Sequence, residues 1–221
     1  MLINTATQYD LPPTADITRY VQGWGRPNVR TLYEKRTKIV IDNETTVLAP
    51  LGTKFYYVQP ATAGGPIKAT LTYSDPMGTP GTMVARVNDI DLKLTSPSNV
   101  VYWGNQGLSN ANWSSPGGSA DQINTVENVF IESAEAGTWK VEVIVKAVNQ
   151  DGHVETPQYD VDYALVITGV TTGGSLIDPS RPLGTIDLFR YLDAFFRGEE
   201  LDANGDGATD ATDVYELISK I

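Results

Sequence analysis

The stretch W-K-V-E-V-I-V-K at residues 139–146 alternates apolar and polar side chains, which indicates a β-strand with one buried face. The apolar side chains would share the face that meets a core, namely Trp139, Val141, Val143 and Val145. Lys140, Glu142 and Lys146 would lie on the opposite face. Because the stretch has the length of an ordinary strand, it predicts a sheet that covers a core on one side.

The same alternation recurs in other short runs, separated by turn residues such as those at 75–78, 80–81 and 151–152. These runs lie at residues 38–42, 53–59, 67–73, 90–94, 100–103, 126–131 and 159–167. Together they make eight predicted strands. A succession of this kind predicts a mainly β fold, a jelly-roll-like β-sandwich over residues 37–171.

The residues before the sandwich have a different character. Residues 1–7 and about 29–33 have helical patterns, and the Leu11-Pro12-Pro13 run between them breaks a helix. Residues 1–36 therefore predict a short helical tail, with too few apolar groups for a core of its own. Its larger apolar side chains are expected to pack on the sandwich or to mediate self-association, namely Leu2, Ile3, Trp24 and Tyr33.

The residues after the sandwich begin with a joint. T-T-G-G-S at residues 171–175, followed by prolines at 179 and 182, predicts a linker over residues 172–184. Residues 185–221 follow as a third unit, predicted to contain two helices. Helical apolar spacing runs over residues 185–196 and again after residue 213.

Between these two helices, residues 202–213 read D-A-N-G-D-G-A-T-D-A-T-D, with the spacing of a calcium-binding loop. The predicted ligands are the side chains of Asp202, Asn204, Asp206, Asp210 and Asp213, with the carbonyl of Ala208. Gly207 permits the sharp turn that curls the chain around the ion. The alternative is a solvated Asp/Asn/Gly turn.

This loop and its helices resemble dockerin modules, the calcium-ordered, EF-hand-like domains of secreted bacterial enzymes. The upstream loop lacks the alternating acidic ligands, so we expect one calcium in the module. The resemblance implies a cohesin-like protein as partner. Partner contacts would then centre on Ala211, Thr212, Leu188, Phe189 and Tyr215. The alternative is that these side chains pack internally.

Composition narrows the partners and the compartment. The chain has 16 basic and 27 acidic residues, a net charge of −11, and no basic stripe that could follow a phosphate backbone, so nucleic acid is excluded. No apolar run is long enough to span a bilayer. Cysteine is absent. Since extracellular calcium would fill a weak loop, we expect a secreted or cell-surface protein.

Two short motifs lie within residues 1–36: L-I-N-T-A at 2–6 and G-W-G-R-P-N at 23–28. Five more follow in order along the predicted sandwich: V-N-D-I-D-L at 87–92, Y-W-G-N at 102–105, N-T-V-E-N-V-F-I at 124–131, A-G-T-W at 136–139 and Y-A-L-V-I-T-G at 163–169. The first two resemble the end of the catalytic domain of subtilisin-like serine proteases, and the other five resemble the C-terminal β-sandwich of such proteases. The resemblance implies that residues 1–36 are the tail of a subtilisin-like catalytic domain.

The catalytic residues of that family are not present. The Asp, the His and the G-T-S serine have no counterpart, and the single histidine, His153, lies in a polar turn and is expected to be a surface residue. The chain thus lacks a triad although the parent family consists of serine endopeptidases. The resemblance implies a non-catalytic accessory and attachment region of such a protease, which stabilises it or binds substrate or partner.

Two other functions stay open. The first is a stand-alone extracellular module that binds a carbohydrate polymer or a protein, with Tyr102, Trp103 and Trp113 as stacking surfaces. Trp113 could instead plug its loop onto the core. The second is a subunit of a serine endopeptidase whose triad lies on another chain.

A second calcium site is a further hypothesis. If Ile90, Leu92 and Leu94 face the core, Asp89 and Asp91 point outward. These two carboxylates could be simply solvated. With other polar residues they could instead hold a calcium ion that pins the long loop at 104–124 to the sandwich, the full set being Asn88, Asp89, Asp91, Asp121 and Glu127.

Overall fold

The structure is a computed structural model that describes residues 1–9, 12, 16, 18–36, 38–82 and 85–171. The predicted linker at 172–184 and the dockerin-like unit at 185–221 lie outside the described residues. The predicted calcium loop at 202–213 and the predicted partner-binding residues lie there too, and they stay predictions.

Eight strands form two four-stranded antiparallel sheets within the described residues, and each predicted strand has its counterpart. The first sheet contains β1 (Ile39–Leu48), β8 (Val161–Thr168), β3 (Ile67–Thr72) and β6 (Val126–Ile131), in that spatial order. The second contains β2 (Thr53–Val58), β7 (Trp139–Ala147), β4 (Asp89–Thr95) and β5 (Val101–Trp103). The fold is therefore mainly β, a sandwich of two sheets, as the alternation predicts.

Consecutive strands mostly belong to opposite sheets, so the chain passes back and forth across the sandwich. Only β4 and β5 follow each other within one sheet. The first strand pairs with the last, with Ile39 opposite Thr168 and Leu48 opposite Val161. Apart from β4 and β5, neighbouring strands within each sheet are thus far apart in sequence.

The core lies between the two sheets and consists of the apolar residues that alternate inward. The 139–146 strand contributes the side chains predicted for it, and β4 and β8 contribute others of the same kind. Among the described residues, the fully buried large side chains of this core are Trp139, Tyr163, Ile67, Leu71, Ile90, Leu92, Leu94, Leu165 and Ile167, while Phe130 and Leu108 are equally buried outside it. Trp139 also donates its indole N–H to the carbonyl of Glu135 at 3.0 Å.

Two strand predictions need correction at their ends. β1 continues to Leu48, and its register with β8 shifts between Asn43 and Val47, where Glu44 has a φ of 58°. A bulge of this kind interrupts the alternation on which the prediction depends. Tyr159, predicted to begin β8 on its buried face, lies before the strand and is exposed.

The described residues of the N-terminal segment, which spans residues 1–36, form two helices: α1 (Arg19–Gln22) and α2 (Val29–Lys35). The predicted helix at about 29–33 is confirmed, and Asn28 begins it by accepting a hydrogen bond from the Thr31 N–H at 3.0 Å. The predicted helix over residues 1–7 is wrong. That stretch forms a turn, because Thr7 pairs with Arg26 through two backbone hydrogen bonds instead of continuing a helix.

A polar cluster closes the sandwich between β1, β2 and β8. The buried Asp42 carboxylate accepts hydrogen bonds from Thr45 and Thr46 at the bulge and from the Tyr56 hydroxyl, which also contacts the Tyr163 hydroxyl at 2.5 Å. Burial acts to raise the pKa of Asp42, but these hydrogen bonds outweigh it, so the pKa lies below its usual value.

We expect the Asp42 carboxylate to stabilise the fold at neutral pH but not in acid. Because its folded pKa is lowered, this stability is present above the unfolded pKa and is lost as the pH falls through the folded value. The melting temperature of Asp42→Asn should lie below that of the parent at pH 7 and approach it below about pH 3. Asp162→Asn, on β8, is the control, and an equal gap at every pH would contradict the prediction.

Candidate functional site

The N-terminal segment lies against the outer face of the first sheet and is fastened there by Asn4. The Asn4 amide donates hydrogen bonds to the carbonyls of Lys68 and Val166, at 2.9 and 3.2 Å, and to the Thr70 hydroxyl at 3.1 Å. The Thr168 hydroxyl donates to the Asn4 side-chain oxygen at 2.6 Å. Asn4 is buried, so a single side chain binds the segment to β3 and β8.

A second attachment joins α1 to the long loop at residues 104–124. The Arg19 guanidinium donates to the carbonyls of Leu108 and Ala111, at 2.6 and 2.8 Å, and lies over the ring of Trp24. Trp24 in turn meets the ring of Phe130 on β6 edge-on, with the centroids 6.0 Å apart. The segment and the loop therefore cover this sheet face together.

Hydrogen bonds between side chains connect β3, β6 and the long loop on this face of the sheet. Thr70 donates to Asn128 at 2.7 Å, Asn128 lies 3.4 Å from the side-chain oxygen of Asn105, and Asn105 donates to Asp121 at 2.7 Å. Asn105 and Asn128 were not among the predicted site residues. Their positions inside the Y-W-G-N and N-T-V-E-N-V-F-I motifs were the sequence feature that could have identified them.

The outer side of the N-terminal segment is rich in exposed apolar side chains. Eight of the fifteen large apolar residues that are exposed in the described chain belong to residues 1–41: Met1, Leu2, Tyr9, Tyr20, Val21, Val29, Tyr33 and Ile41. Seven residues around α2 and β1 line an open apolar depression: Met1, Val29, Leu32, Tyr33, Arg36, Ile39 and Ile41. We call the exposed residues of α2 and its surroundings, Met1, Leu2, Val29, Tyr33 and Ile41, the apolar N-terminal face.

The expectation that the apolar residues of the segment pack on the sandwich holds only in part. Trp24 packs on Phe130, and Ile3 is half-buried. Leu2 and Tyr33, however, keep 62% and 63% of their surface accessible to solvent. The segment turns its small and polar side chains, such as Asn4 and Thr5, toward the sheet and leaves large apolar ones outside.

The three proposed stacking residues do not form one platform. Tyr102 packs against Trp139 at the core, with ring centroids 6.0 Å apart, while its neighbour Trp103 lies near Lys93 on the outer face of the second sheet. Trp113 lies near Lys68 on the outer face of the first sheet. All three are half-buried. This placement favours the alternative in which Trp113 holds its loop onto the sandwich.

Three residues of the hypothetical second calcium site are buried, and two of them are the carboxylates Asp91 and Glu127; the third is Asn88. Asp91 and Glu127 both have 0% of their surface exposed, so the solvated alternative is wrong for Asp91. Glu127 projects from β6 on the same side as Val129 and accepts a hydrogen bond from the Leu92 N–H at 2.8 Å. Leu92 lies just beyond the last residue of β4 that pairs with β5, so its N–H has no partner on β5 and donates to the Glu127 carboxylate instead.

Both buried carboxyl groups hold protons more strongly than usual. Burial raises the pKa of Glu127 to about 9, and the negative charges of Asp91, Asp121 and Asp89 add to the effect, against the hydrogen bond from Leu92. Burial, together with the neighbouring Asp89 carboxylate, raises the pKa of Asp91 to about 7, although Lys146 and Arg86 act in the opposite direction. A cation near these groups would favour their ionised forms.

The other three residues of that hypothesis have partners within the protein. Asn88 accepts from the N–H groups of Asn149 and Gln150 and donates to the Gln150 carbonyl. Asp89 forms an ion pair with Arg86. Asp121 accepts from Asn105, from the Ile123 N–H and twice from Asn124. These residues fix the surrounding loops in place.

Gly104 makes room for the Glu127 side chain. A Cβ atom at this position would overlap the carboxylate of Glu127, while the Gly104 N–H donates to the Leu92 carbonyl at 2.9 Å. Leu92 therefore has one backbone group paired with Gly104 and the other with Glu127. The glycine of the Y-W-G-N motif is required by the buried carboxylate.

His153 is not the free surface residue that the sequence suggests. Its side chain is 16% exposed, and Nδ1 lies 3.3 Å from the Asp160 carboxylate. The Thr156 hydroxyl donates to the other Asp160 oxygen at 2.7 Å. Since this hydroxyl is bonded to the carboxylate and not to the imidazole, the group lacks the contact between nucleophile and base of a hydrolase triad.

Comparisons with known proteins add no assignment. No known family model matches the chain, and a search of curated proteins gives no significant match. Within the part of the chain that the structure describes, no three His, Cys, Asp or Glu side chains are grouped so that they could hold a metal ion. None of the described helices has the length and apolar character to cross a membrane.

Proposed function

We propose that this chain is the non-catalytic accessory and attachment region of a secreted subtilisin-like serine protease. In this proposal the sandwich is a jelly roll that stabilises the catalytic domain, and the unit at residues 185–221 is a calcium-ordered, dockerin-like module for attachment to a cohesin-like protein. The strand order β1-β8-β3-β6 opposite β2-β7-β4-β5, a double sheet of eight strands, supports the jelly roll.

The observation that carries the proposal is the two-sided character of the N-terminal segment. Its inner side is bound to the sandwich by the buried Asn4, whereas its outer side forms the apolar N-terminal face. Exposed apolar residues collected in one region mark a surface that another protein part covers. Because this segment resembles the end of a subtilisin-like catalytic domain, that domain is the proposed occupant.

The test is a fusion of a subtilisin-like catalytic domain, ended before its own L-I-N-T-A segment, to Met1 of this chain. Val29→Glu with Tyr33→Glu should shorten the half-life of peptidase activity at elevated temperature at least several-fold, because the charges would be buried at the domain contact. Since Val29 and Tyr33 are 75% and 63% exposed, the same changes should leave the melting temperature of the isolated chain unaltered.

The matched control is Leu51→Glu with Met77→Glu, which places the same charges on exposed apolar residues of the sandwich. These changes should leave the half-life unchanged. Equal half-lives for the two pairs of substitutions would contradict the proposed contact. The isolated chain should not hydrolyse casein, and hydrolysis that a serine-directed inhibitor abolishes would contradict the non-catalytic assignment.

A further inference from the structure

Three carboxylate oxygens at the edge of the second sheet are buried and accept no hydrogen bond from the described residues. They are both oxygens of Asp91 and Oε1 of Glu127. Buried carboxylates are normally hydrogen-bonded, paired with a positive charge or bound to a metal ion, because an isolated buried charge is costly. Two buried carboxyl groups at one sheet edge therefore need a hydrogen-bond donor, a positive charge or a metal ion beside them.

The nearby positive groups do not supply that partner. Arg86 is engaged by the Asp89 carboxylate and by the Gln122 carbonyl. Lys146 is close enough to lower the pKa of Asp91, but it is exposed to solvent. The remaining charged neighbours, Asp89 and Asp121, are negative and raise the pKa of Glu127. The edge therefore carries an excess of negative charge in its interior.

Protonation alone would leave the buried oxygens only partly satisfied. A protonated Glu127 would carry an O–H at Oε1 without an acceptor, while Oε2 accepts from the Leu92 N–H. A protonated Asp91 could donate to the adjacent Asp89 carboxylate, but its other oxygen would still lack a donor. A cation that contacts both carboxylates would satisfy them together. Hard oxygen ligands of this type suit calcium, which also accepts irregular coordination and several water ligands.

We propose that Asp91 and Glu127 bind one calcium ion at the edge where β5 ends, joining the second sheet to β6 of the first. Water and backbone oxygens complete the coordination, and Asp89 and Asp121 contribute negative charge without being required as ligands. With only two carboxylate ligands the affinity falls in the range of extracellular calcium modules, with a dissociation constant on the order of 0.1 to 1 mM. This site is independent of what the N-terminal segment contacts.

The experiment is carried out on the full chain with Asp206→Ala, which removes a predicted ligand of the loop at 202–213. Calorimetric titration with calcium chloride at pH 7.5 should give one ion per chain. The melting temperature should rise by about 3 to 6 °C at about ten times the dissociation constant. Adding Glu127→Gln should abolish the binding and the rise, while the amide oxygen can still accept from Leu92 and keep the fold.

Asp91→Asn removes the other proposed ligand and should likewise abolish calcium binding and the rise in melting temperature. Glu142→Gln is the matched control, because Glu142 is a carboxylate of the same sheet that is already paired with Lys93 and Lys140. It should leave the calcium response unchanged. The proposal is overturned if the Asp206→Ala chain binds no calcium up to about 10 mM, or if Glu127→Gln and Asp91→Asn both keep the rise in melting temperature.

Discussion

Replacing Asn4 with alanine should lower the free energy of unfolding by roughly 2–3 kcal/mol, because several buried groups lose their partner at once. The carbonyls of Lys68 and Val166 lose a donor, and the hydroxyl of Thr168 loses its acceptor. In urea unfolding the midpoint should fall without a change in slope, and the melting temperature should drop by roughly 5–10 °C.

Asn4→Asp tests the physical reason for this loss. Aspartate has nearly the same size but cannot donate to two carbonyls when it is ionised, and it would place a negative charge beside them. It should therefore be at least as destabilising as alanine. Asn110→Ala, at an exposed position of the long loop, is the control and should change stability by less than about 0.5 kcal/mol. Near-parent stability of Asn4→Asp would show that the amide donors are not important.

The second large effect is expected for Gly104→Ala. The added methyl group would overlap the Glu127 carboxylate, so either that side chain or the end of β5 must move. Overpacking and the loss of the hydrogen bond from Leu92 should together cost roughly 3 kcal/mol. Thermal and urea unfolding of the full chain would measure this cost.

A double-mutant cycle with Glu127→Ala isolates the cause. If the overlap is responsible, Gly104→Ala should cost less by about 1–2 kcal/mol in a chain that already carries Glu127→Ala. Equal costs in the two backgrounds would mean that Gly104 is needed for its backbone and not for the space beside it. Gly104→Ala should also weaken the calcium response proposed for Asp91 and Glu127.

The strands were the most predictable part of the molecule, because the period of two in runs such as residues 139–146 follows directly from burial on one face. The same reasoning misjudged Asp91. Alternation correctly placed it opposite Leu92, but it cannot reveal whether the outer face is covered by other parts of the chain. Burial on that face depends on contacts between residues distant in sequence.

The candidate site was predictable only as a set of polar residues. Asp91 and Glu127 were predicted to belong to one site, yet the hydrogen bonds of Asn88 and Asp121 to neighbouring loops depend on the paths of those loops. The turn at residues 1–7 was missed for a related reason. A short helical pattern is weak by itself, and pairing of Thr7 with Arg26 decides the local structure.

The pairing of the first strand with the last also determines the order of events while the protein is made. β1 needs β8 as its partner, and the Asn4 side chain needs β8 for two of its four hydrogen bonds, so these contacts form only after the chain has been synthesised through residue 168. The early strands must stay unpaired on that edge during synthesis, when they are open to wrong pairing or to a chaperone. A ribosome-bound chain that stops before residue 161 should therefore be cleaved readily by protease within residues 1–48.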